Sequence, residues 1–264
     1  MGRQDPVAPQ PDLRGCEIGN DGLAEIAKIT HLRGLKFSKE SLVDDAGLKH
    51  LAGMDELKAL ALDDLWVGDG TAGFETLKDL PNLQELYLAR ATVDDSTLDI
   101  IAQMPKISKL RLAETSITDE GLARLAEART LVDLDISTCG GVTPAGLEHI
   151  GKLKNLSKLN LWRVNLTAGG IAPLARLTEM EWLNLDATGI LDPDLEHLLG
   201  MKKLEFLHLG STGVTDEGIQ SLGVLTNLKD INAARSNVTK DGAAKLKERL
   251  PDLKIQLDYL GDGS

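Results

Sequence analysis

A short leucine phrase recurs ten times in this chain of 264 residues, at intervals of 24 to 26 residues. Each copy has a form close to Leu-x-x-Leu-x-Leu. The copies begin at Leu32, Leu57, Leu83, Ile107, Leu131, Leu156, Met180, Leu204, Leu228 and Leu253. A fixed period of this length predicts a stack of similar supersecondary units, in which each unit packs on its neighbours. It is not the pattern of a globule with one central core.

Residues 107–130 show how one unit is built. Leu110 and Leu112 flank a polar residue, and this alternation is typical of a β-strand. Thr118 then precedes two acidic residues and the apolar positions of a short helix. Threonine is a favoured helix N-cap, and acidic residues in the first turn suit the helix dipole. Strand, turn and helix at a constant period predict a right-handed solenoid, with a concave parallel sheet and convex helices.

The two ends of the stack set the expected domain boundaries. Leu13–Ile18 has the pattern of a first strand, and apolar residues alternate from Leu253 to Tyr259 as in an edge strand. We therefore expect an α/β horseshoe of about eleven strands. One elongated domain would span residues 13–260, between an extended N-terminal tail at 1–12 and a C-terminal tail at 261–264.

Two features of the sequence depart from the plain repeat. The third unit has extra residues between strand and helix, and we expect Trp66 to cover this widened gap, with an exposed anchor as the alternative. Cys16 and Cys139 lie about five repeats apart, too far for a disulfide in a regular stack, and we expect both to be small buried residues. Cysteine usage favours a cytoplasmic location. A secreted or periplasmic one stays open if an export signal was removed.

Charge and composition exclude several function classes. The formal charge is −12, and a long acidic surface repels a phosphate backbone, which argues against nucleic acid as partner. No apolar stretch approaches the ~18 residues of a membrane span, so we expect no membrane insertion. The sequence has no phosphate loop, and its acidic pairs and histidines lie in separate repeats, so we expect no cofactor and no metal. We also expect a monomer.

The repeat resembles a known family. Leu131–Thr143, together with the T-D-x-G-L helix start at Thr118 and the nearly identical T-D-x-G-I start at Thr215, is similar to the leucine-rich repeat of the cysteine-containing type, with Cys139 at the namesake position. The resemblance covers roughly residues 13 to 260 and implies a leucine-rich-repeat horseshoe. This type is found in F-box ubiquitin ligase subunits and in many bacterial proteins. The positions equivalent to Cys139 are threonines in other repeats, as in the bacterial set: Thr115, Thr188 and Thr212. An F-box needs its own helical module, for which residues 1–12 are too few, so the ligase role is not implied.

The predicted sheet brings residues of one repeat position into line. Strands lie about 4.8 Å apart, and the third, fifth and seventh positions of each phrase would face the concave side. From the sixth phrase onward the fifth positions are neutral and polar, and we name them the amide row: Asn160, Asn184, His208, Asn232 and Gln256. Such side chains carry both hydrogen-bond donors and acceptors.

Aromatic residues are expected beside the amide row. Trp182 and Phe206 occupy the third position, and Trp162 the seventh, while Gly210 and Ala234 would leave space next to the row. Clustered exposed aromatics are typical of interaction hot spots. The candidate partner-binding residues are Asn160, Trp162, Trp182, Asn184, Asp186, Phe206, His208, Asn232 and Gln256. In the alternative interpretation, the polar row only solvates the sheet and the aromatics pack on each other.

A second, mixed-charge patch lies nearer the N-terminus. It comprises Tyr87, Arg90, Lys109 and Arg111 and would meet an acidic partner, although a solvated sheet surface explains it as well.

A catalytic reading rests on His208, with Asp186 on the next strand and Ser211 nearby. The flat sheet offers neither oxyanion donors nor a closed pocket, so we expect no enzyme.

These patterns favour a protein- or peptide-recognition module that uses the concave face. Two alternatives remain from other classes. The first is a carbohydrate or small-ligand binder that uses Trp162, Trp182 and the amide row. The second is a structural scaffold whose contacts use the convex face or the ends.

Overall fold

The described part of the chain folds into one ten-stranded parallel sheet, with helical segments on one side of it. The computed structural model describes residue 13 and residues 16–37, 39–68 and 72–258. The strands lie side by side in chain order. They are β1 Gly34–Lys36, β2 Ala59–Ala61, β3 Glu85–Tyr87, β4 Lys109–Arg111, β5 Asp133–Asp135, β6 Lys158–Asn160, β7 Trp182–Asn184, β8 Phe206–His208, β9 Asp230–Asn232 and β10 Lys254–Gln256. The predicted fold class is confirmed.

Helices connect the strands. The α-helices are α1 Asn20–Ile26, α2 Asp45–Leu48, α3 Ala72–Lys78, α4 Asp95–Ile101, α5 Asp119–Leu125, α6 Pro144–Ile150, α7 Asp216–Ser221 and α8 Lys240–Arg249. Short 3₁₀ helices span Lys49–Leu51, Ala172–Arg176, Asp192–Leu198 and Leu222–Val224. None of the helices in the described part of the chain has the length and apolarity needed to cross a membrane.

The described chain starts differently from the expected first strand. The Leu13 N–H donates to the Lys36 carbonyl at 3.1 Å, a single bond of the kind that joins strands. The chain then turns, because the Cys16 N–H donates back to the Leu13 carbonyl at 3.1 Å. Within the described residues the sheet therefore begins at β1 and has ten strands, where about eleven were expected. Both predicted tails, Tyr259 and residue 260 lie outside the described residues.

The middle residue of each strand faces the core. Leu86, Leu110 and Leu134 are at most 1% exposed, while the residues before and after them in each strand are partly exposed. Burial of one such leucine contributes roughly 1.5–3 kcal/mol. The alternation places the third and fifth positions of each phrase on the solvent side of the sheet, as predicted.

A carboxylate bridge joins the helix starts of neighbouring repeats. Asp119 accepts hydrogen bonds from the backbone N–H of Thr143 at 2.8 Å and from the Thr143 hydroxyl. The same bridge runs from Asp95 to Thr118, from Asp192 to Thr215 and from Asp216 to Thr239. We expected these acidic residues to act on their own helix dipole. The structure shows that they also cap the next repeat.

The bridge explains the glycine of the T-D-x-G-L phrase. A Cβ added at Gly146 would overlap Asp119 Oδ1 and stand 2.9 Å from Leu122 Cδ1. Gly121, Gly218 and Gly242 meet the carboxylate of the preceding repeat in the same way. Glycine is therefore needed because a neighbouring side chain fills the place of its Cβ.

Two successive repeats lack the bridge. Pro144 takes the place of the aspartate in one unit, and Ala168 in the next. The convex segments that follow, Ala172–Arg176 and Asp192–Leu198, are 3₁₀ helices. Asp194 is buried here and accepts from the N–H groups of Gly169 at 2.6 Å and Leu191 at 2.8 Å. The Ala168 unit and the one after it thus lack both the T-D-x-G-L phrase and a regular α-helix, whereas the Pro144 unit keeps its α-helix, α6.

Three expectations about single residues have different outcomes. Trp66 is 76% exposed, so the expectation that it covers the widened unit is wrong, because Leu65 and Val67 are buried and fill that space. Cys16 is exposed and also departs from expectation. Cys139 is buried, and burial raises the pKa of its thiol.

The first prediction concerns Gly146. We expect Gly146→Ala to lower the free energy of unfolding by about 1–3 kcal/mol, because the added methyl group displaces the Asp119 carboxylate. Gly140→Ala is the matched control, since a Cβ there meets no atom within 4 Å. Urea denaturation measures both. Equal stability of the two variants would contradict the bridge as the reason for the glycine.

The second prediction concerns the pH dependence of the bridge. The hydroxyl and backbone N–H of Thr239 donate to Asp216 and hold the pKa of its carboxyl below the usual value. A lowered folded-state pKa stabilises the fold above about pH 4 and ceases to do so as the pH falls through the folded value. Wild type should exceed Asp216→Asn in stability at pH 7, and this difference should shrink below pH 4 in urea titrations. A stability difference between wild type and Asp216→Asn that stays constant down to pH 2.5 would contradict this role of the Asp216 carboxylate.

Candidate functional site

The structure places the amide row in one line across the concave face. Parallel pairing aligns the five residues in register, from β6 to β10: Asn160, Asn184, His208, Asn232 and Gln256. Trp182, Phe206 and Asp230 form the adjacent column at the third position. The spatial arrangement expected from the period is therefore present.

The asparagines of the row present hydrogen-bond donors. Asn160 Oδ1 accepts from the N–H of Trp162 at 3.1 Å, and Asn184 Oδ1 from the N–H of Asp186 at 2.9 Å. In the same way, Asn232 Oδ1 accepts from the N–H of Ala234 at 3.1 Å. Because a backbone N–H requires an acceptor, these bonds also determine which amide atom faces the backbone. The Nδ2 groups are left for the concave face, so the row is richer in donors than the sequence suggested.

Gln256 behaves differently from the asparagines. Its Nε2 donates to the Asp258 carbonyl at 3.1 Å, which turns the amide toward the chain that follows β10. The donor row therefore consists of Asn160, Asn184 and Asn232, with the His208 imidazole between the last two.

Trp182 and Phe206 stack on each other. Their ring centroids are 5.2 Å apart and the rings are inclined by 7°. The His208 ring meets Phe206 edge-on at 6.3 Å. All three side chains are half-buried. The aromatics thus pack together, as in the alternative interpretation, and still contribute surface to the concave face.

Trp162 is covered on one side. The Arg163 guanidinium lies 4.8 Å from the centre of its ring, a cation–π contact. This contact leaves Trp162 with less free aromatic surface than its position in the sequence suggested.

The space expected beside His208 is filled. Gly210 and Ala234 are buried, and a Cβ at Gly210 would stand 2.7 Å from Asp186 Oδ1 and 2.9 Å from His208 Nε2. Those two side chains close over the glycine. The predicted vacancy is therefore wrong, because Asp186 and His208 lean into it.

The three residues of the catalytic reading do not form a relay. His208 Nε2 and Asp186 Oδ2 are 3.9 Å apart, beyond hydrogen-bond distance. Among the described residues no hydrogen bond joins Ser211 to His208. Burial lowers the pKa of His208, although the Asp186 charge acts in the opposite direction, and the lowered pKa favours the neutral imidazole.

The charges of the second patch are paired internally. Arg90 contacts Asp64 Oδ2 at 2.8 Å and Glu114 Oε1 at 3.2 Å. The Arg90 guanidinium holds the pKa of Asp64 below its usual range. Arg111 lies between Asp63 at 3.3 Å and Asp135 at 3.5 Å.

The two remaining members of that patch also contact each other. Lys109 pairs with Asp133 at 3.4 Å and lies 5.4 Å from the centre of the Tyr87 ring. The Tyr87 hydroxyl bonds to Glu85 at 2.5 Å. The three basic side chains of the patch therefore face six carboxylates, which weakens the hypothesis that it binds an acidic partner.

A shallow depression connects the second patch to the amide row. Its volume is about 310 Å³, and its lining includes Tyr87 and Arg111 on one side and Asn160 and Trp182 on the other. Lys158 also lines it and has no carboxylate within ion-pair distance among the described residues. Sequence reasoning separated two patches, whereas the sheet makes them one continuous surface. The signal was available, because Lys158 occupies the same column as Trp182.

Metal coordination finds no support in the described segments. Within residue 13 and residues 16–37, 39–68 and 72–258, no group of three or more His, Cys, Asp or Glu side chains could hold a metal ion.

Comparison with known proteins supports the repeat class. A family model described as a leucine-rich repeat matches residues 12–27 and 200–223. A putative RNA-binding protein of Caenorhabditis elegans is 35% identical over 105 residues, which cover 36% of this chain and 14% of that protein. The chain thus matches only a small part of this curated relative.

A solved structure has the same fold. An internalin C2 from Listeria monocytogenes superposes with a TM-score of 0.63 at 22% identity, over 89% of this chain and 92% of the other. At this identity the likeness concerns the fold alone. The cysteine-containing subtype inferred from the repeats finds no separate support in these similarities.

The third prediction tests the electrostatics around His208. An NMR titration should give an imidazole pKa below 6.5, the ordinary value, because burial disfavours the charged form. Asp186→Asn should lower that pKa further, since the Asp186 charge favours the protonated imidazole. A pKa that rises in the variant would contradict the geometry.

Proposed function

We propose that this leucine-rich-repeat chain is a non-catalytic recognition module, which binds a protein or peptide through its concave face. The observation that carries the proposal is the pair of adjacent columns of half-buried polar and aromatic side chains in register on an open sheet. Its members include the stacked pair Trp182 and Phe206 and the amide row. Side chains of this kind, ordered by packing before binding, lose little entropy when a partner is bound.

A peptide fits this surface better than a sugar. Carbohydrate recognition would use Trp162 and Trp182 as platforms, yet Trp162 is covered by Arg163. The three asparagine side chains offer free N–H donors, which suit the carbonyl oxygens of an extended peptide. We therefore favour a peptide segment over a glycan as the partner.

RNA is a poor partner on electrostatic grounds. The formal charge of −12 opposes a phosphate backbone, and the basic side chains of the second patch are paired with carboxylates. The word RNA-binding belongs to the name of one relative, of which this chain matches 14%. We infer a monomeric module with a protein ligand.

The fourth prediction tests use of the concave face. Peptides selected from a random display library on the wild type should bind Trp182→Ala/Phe206→Ala about tenfold more weakly or worse, the size of a typical hot-spot loss. Trp66→Ala is the matched control, because it removes an exposed tryptophan outside the sheet and should change affinity less than about twofold. Fluorescence anisotropy measures each affinity.

Folding of the double variant is checked by circular dichroism and urea denaturation. If the folded double variant binds the selected peptides as tightly as wild type, the concave face is not the binding surface. If the wild type selects no peptide above background, recognition of linear peptides is wrong.

A further inference from the structure

In the column next to the amide row, the Phe206 ring stacks on Trp182 with one face and turns its other face away from it. Strands lie about 4.8 Å apart, and the Trp182 and Phe206 rings are nearly parallel at 5.2 Å, so they stack along the row of strands. The second face of Phe206 is therefore turned toward β9. The residue in register on β9 is Asp230.

Asp230 has no cation of its own among the described residues. Its register partner on β10 is Lys254, but no ion pair joins the two side chains. The neighbouring Lys229 pairs with Glu205 at 2.8 Å. A half-buried carboxylate is thus in register with the second face of Phe206, and no described basic side chain forms an ion pair with it.

A second carboxylate lies across His208. Asp186 is on β7's side of the imidazole and Asp230 on β9's side, in diagonal positions of the register. Among the described residues, the basic group nearest to Asp186 is His208 at 3.9 Å, and burial lowers the pKa of this imidazole. The side chains of Asp186 and His208 are 19% and 21% exposed, so both reach the surface.

The hydrogen-bonding capacity of the row completes the picture. The Oδ1 atoms of Asn184 and Asn232 are occupied by backbone N–H groups, and their Nδ2 donors stay available on either side of His208. Such donors complement main-chain carbonyls. The carboxylates next to them complement a cation, and the net charge of −12 attracts one from a distance.

We propose that the concave face selects an extended basic peptide, with an arginine side chain seated on Phe206 against Asp230. This inference rests on the proposed function and names the partner class. A planar guanidinium can stack on an aromatic face and at the same time donate two hydrogen bonds to a carboxylate. A lysine ammonium provides the charge without the planar fork. Asp186 would contribute a second, longer-range attraction.

The test compares the composition of selected peptides between variants. Wild type and Asp186→Asn/Asp230→Asn are panned against the same random display library, and synthetic copies of the enriched peptides are titrated by fluorescence anisotropy. The substitutions keep side-chain shape and remove two negative charges. Glu248→Gln/Asp252→Asn is the control, because it removes the same charge at exposed positions outside the concave columns.

We expect wild type to enrich arginine over the input library. The charge-neutral concave variant should lose this enrichment and bind the wild-type peptides about tenfold more weakly, whereas the control should stay within about twofold. Replacing the enriched arginine of a peptide by lysine should weaken binding to wild type severalfold. Circular dichroism verifies that each variant is folded.

Other outcomes separate the two levels of the proposal. Selected peptides that need Trp182 and Phe206 but show no enrichment of arginine would overturn the basic-peptide inference and leave concave-face recognition standing. Retained arginine enrichment in Asp186→Asn/Asp230→Asn would also overturn it. If wild type selects nothing that the Trp182→Ala/Phe206→Ala variant does not, both the inference and the proposed function are wrong.

Discussion

The whole structure depends on parallel pairing without register shift. Every strand pairs residue for residue with the next one, so Leu110 meets Leu134 and Asn160 meets Asn184. One set of backbone hydrogen bonds therefore builds two columns at once, a buried leucine column and an exposed polar column. Because side chains alternate along a strand, a slip of one residue would exchange the two. Packing of the leucines in the core therefore fixes the register, and the same register aligns the side chains of the concave face.

The charges of the concave face are arranged in two different ways along this register. Around β3 to β5 each described basic side chain meets a carboxylate, as Arg111 does with Asp63 and Asp135. Around β7 to β9 no described lysine or arginine forms an ion pair with Asp186 or Asp230. In the first arrangement the ion pairs make the surface rigid. A ligand that binds there has to displace water from charges that are already paired. The second leaves a charge to be neutralised by a ligand, which is why the C-terminal arc is the better candidate for binding.

Most of the fold could be predicted from the sequence, because the strand and helix signals act within one repeat. The Leu-x-Leu alternation identified the strands, and Thr118 identified a helix start. Contacts between repeats could not be predicted in the same way. The bond from Asp119 to Thr143 and the overlap that requires Gly146 depend on the distance between two units, which no local pattern contains.

The candidate site shows the same division. The alignment of the amide row followed from the period alone. Which atoms of the row are free to bind a partner did not follow from the period. The bond from the Trp162 N–H to the Asn160 oxygen and the contact of Arg163 with Trp162 depend on side-chain conformations. Trp66 was misjudged for a related reason: strand-like alternation between the buried Leu65 and Val67 turns it outward, although the unit is irregular.

The missing carboxylate bridges have a mechanical consequence. In a solenoid, stability is the sum of unit terms and nearest-neighbour terms, so an interface with fewer bonds divides the stack into blocks. Such a seam lies between α6 and Asp192, where the 3₁₀ segment Ala172–Arg176 lies and the bond from the Gly169 N–H to Asp194 takes the place of the two-bond bridge. On the concave side this seam lies behind β6 and β7, where Asn160 and Trp182 stand. We expect the curvature of the horseshoe to be most compliant there, so that the surface with the richest recognition chemistry is also the one that can adjust its span to a partner.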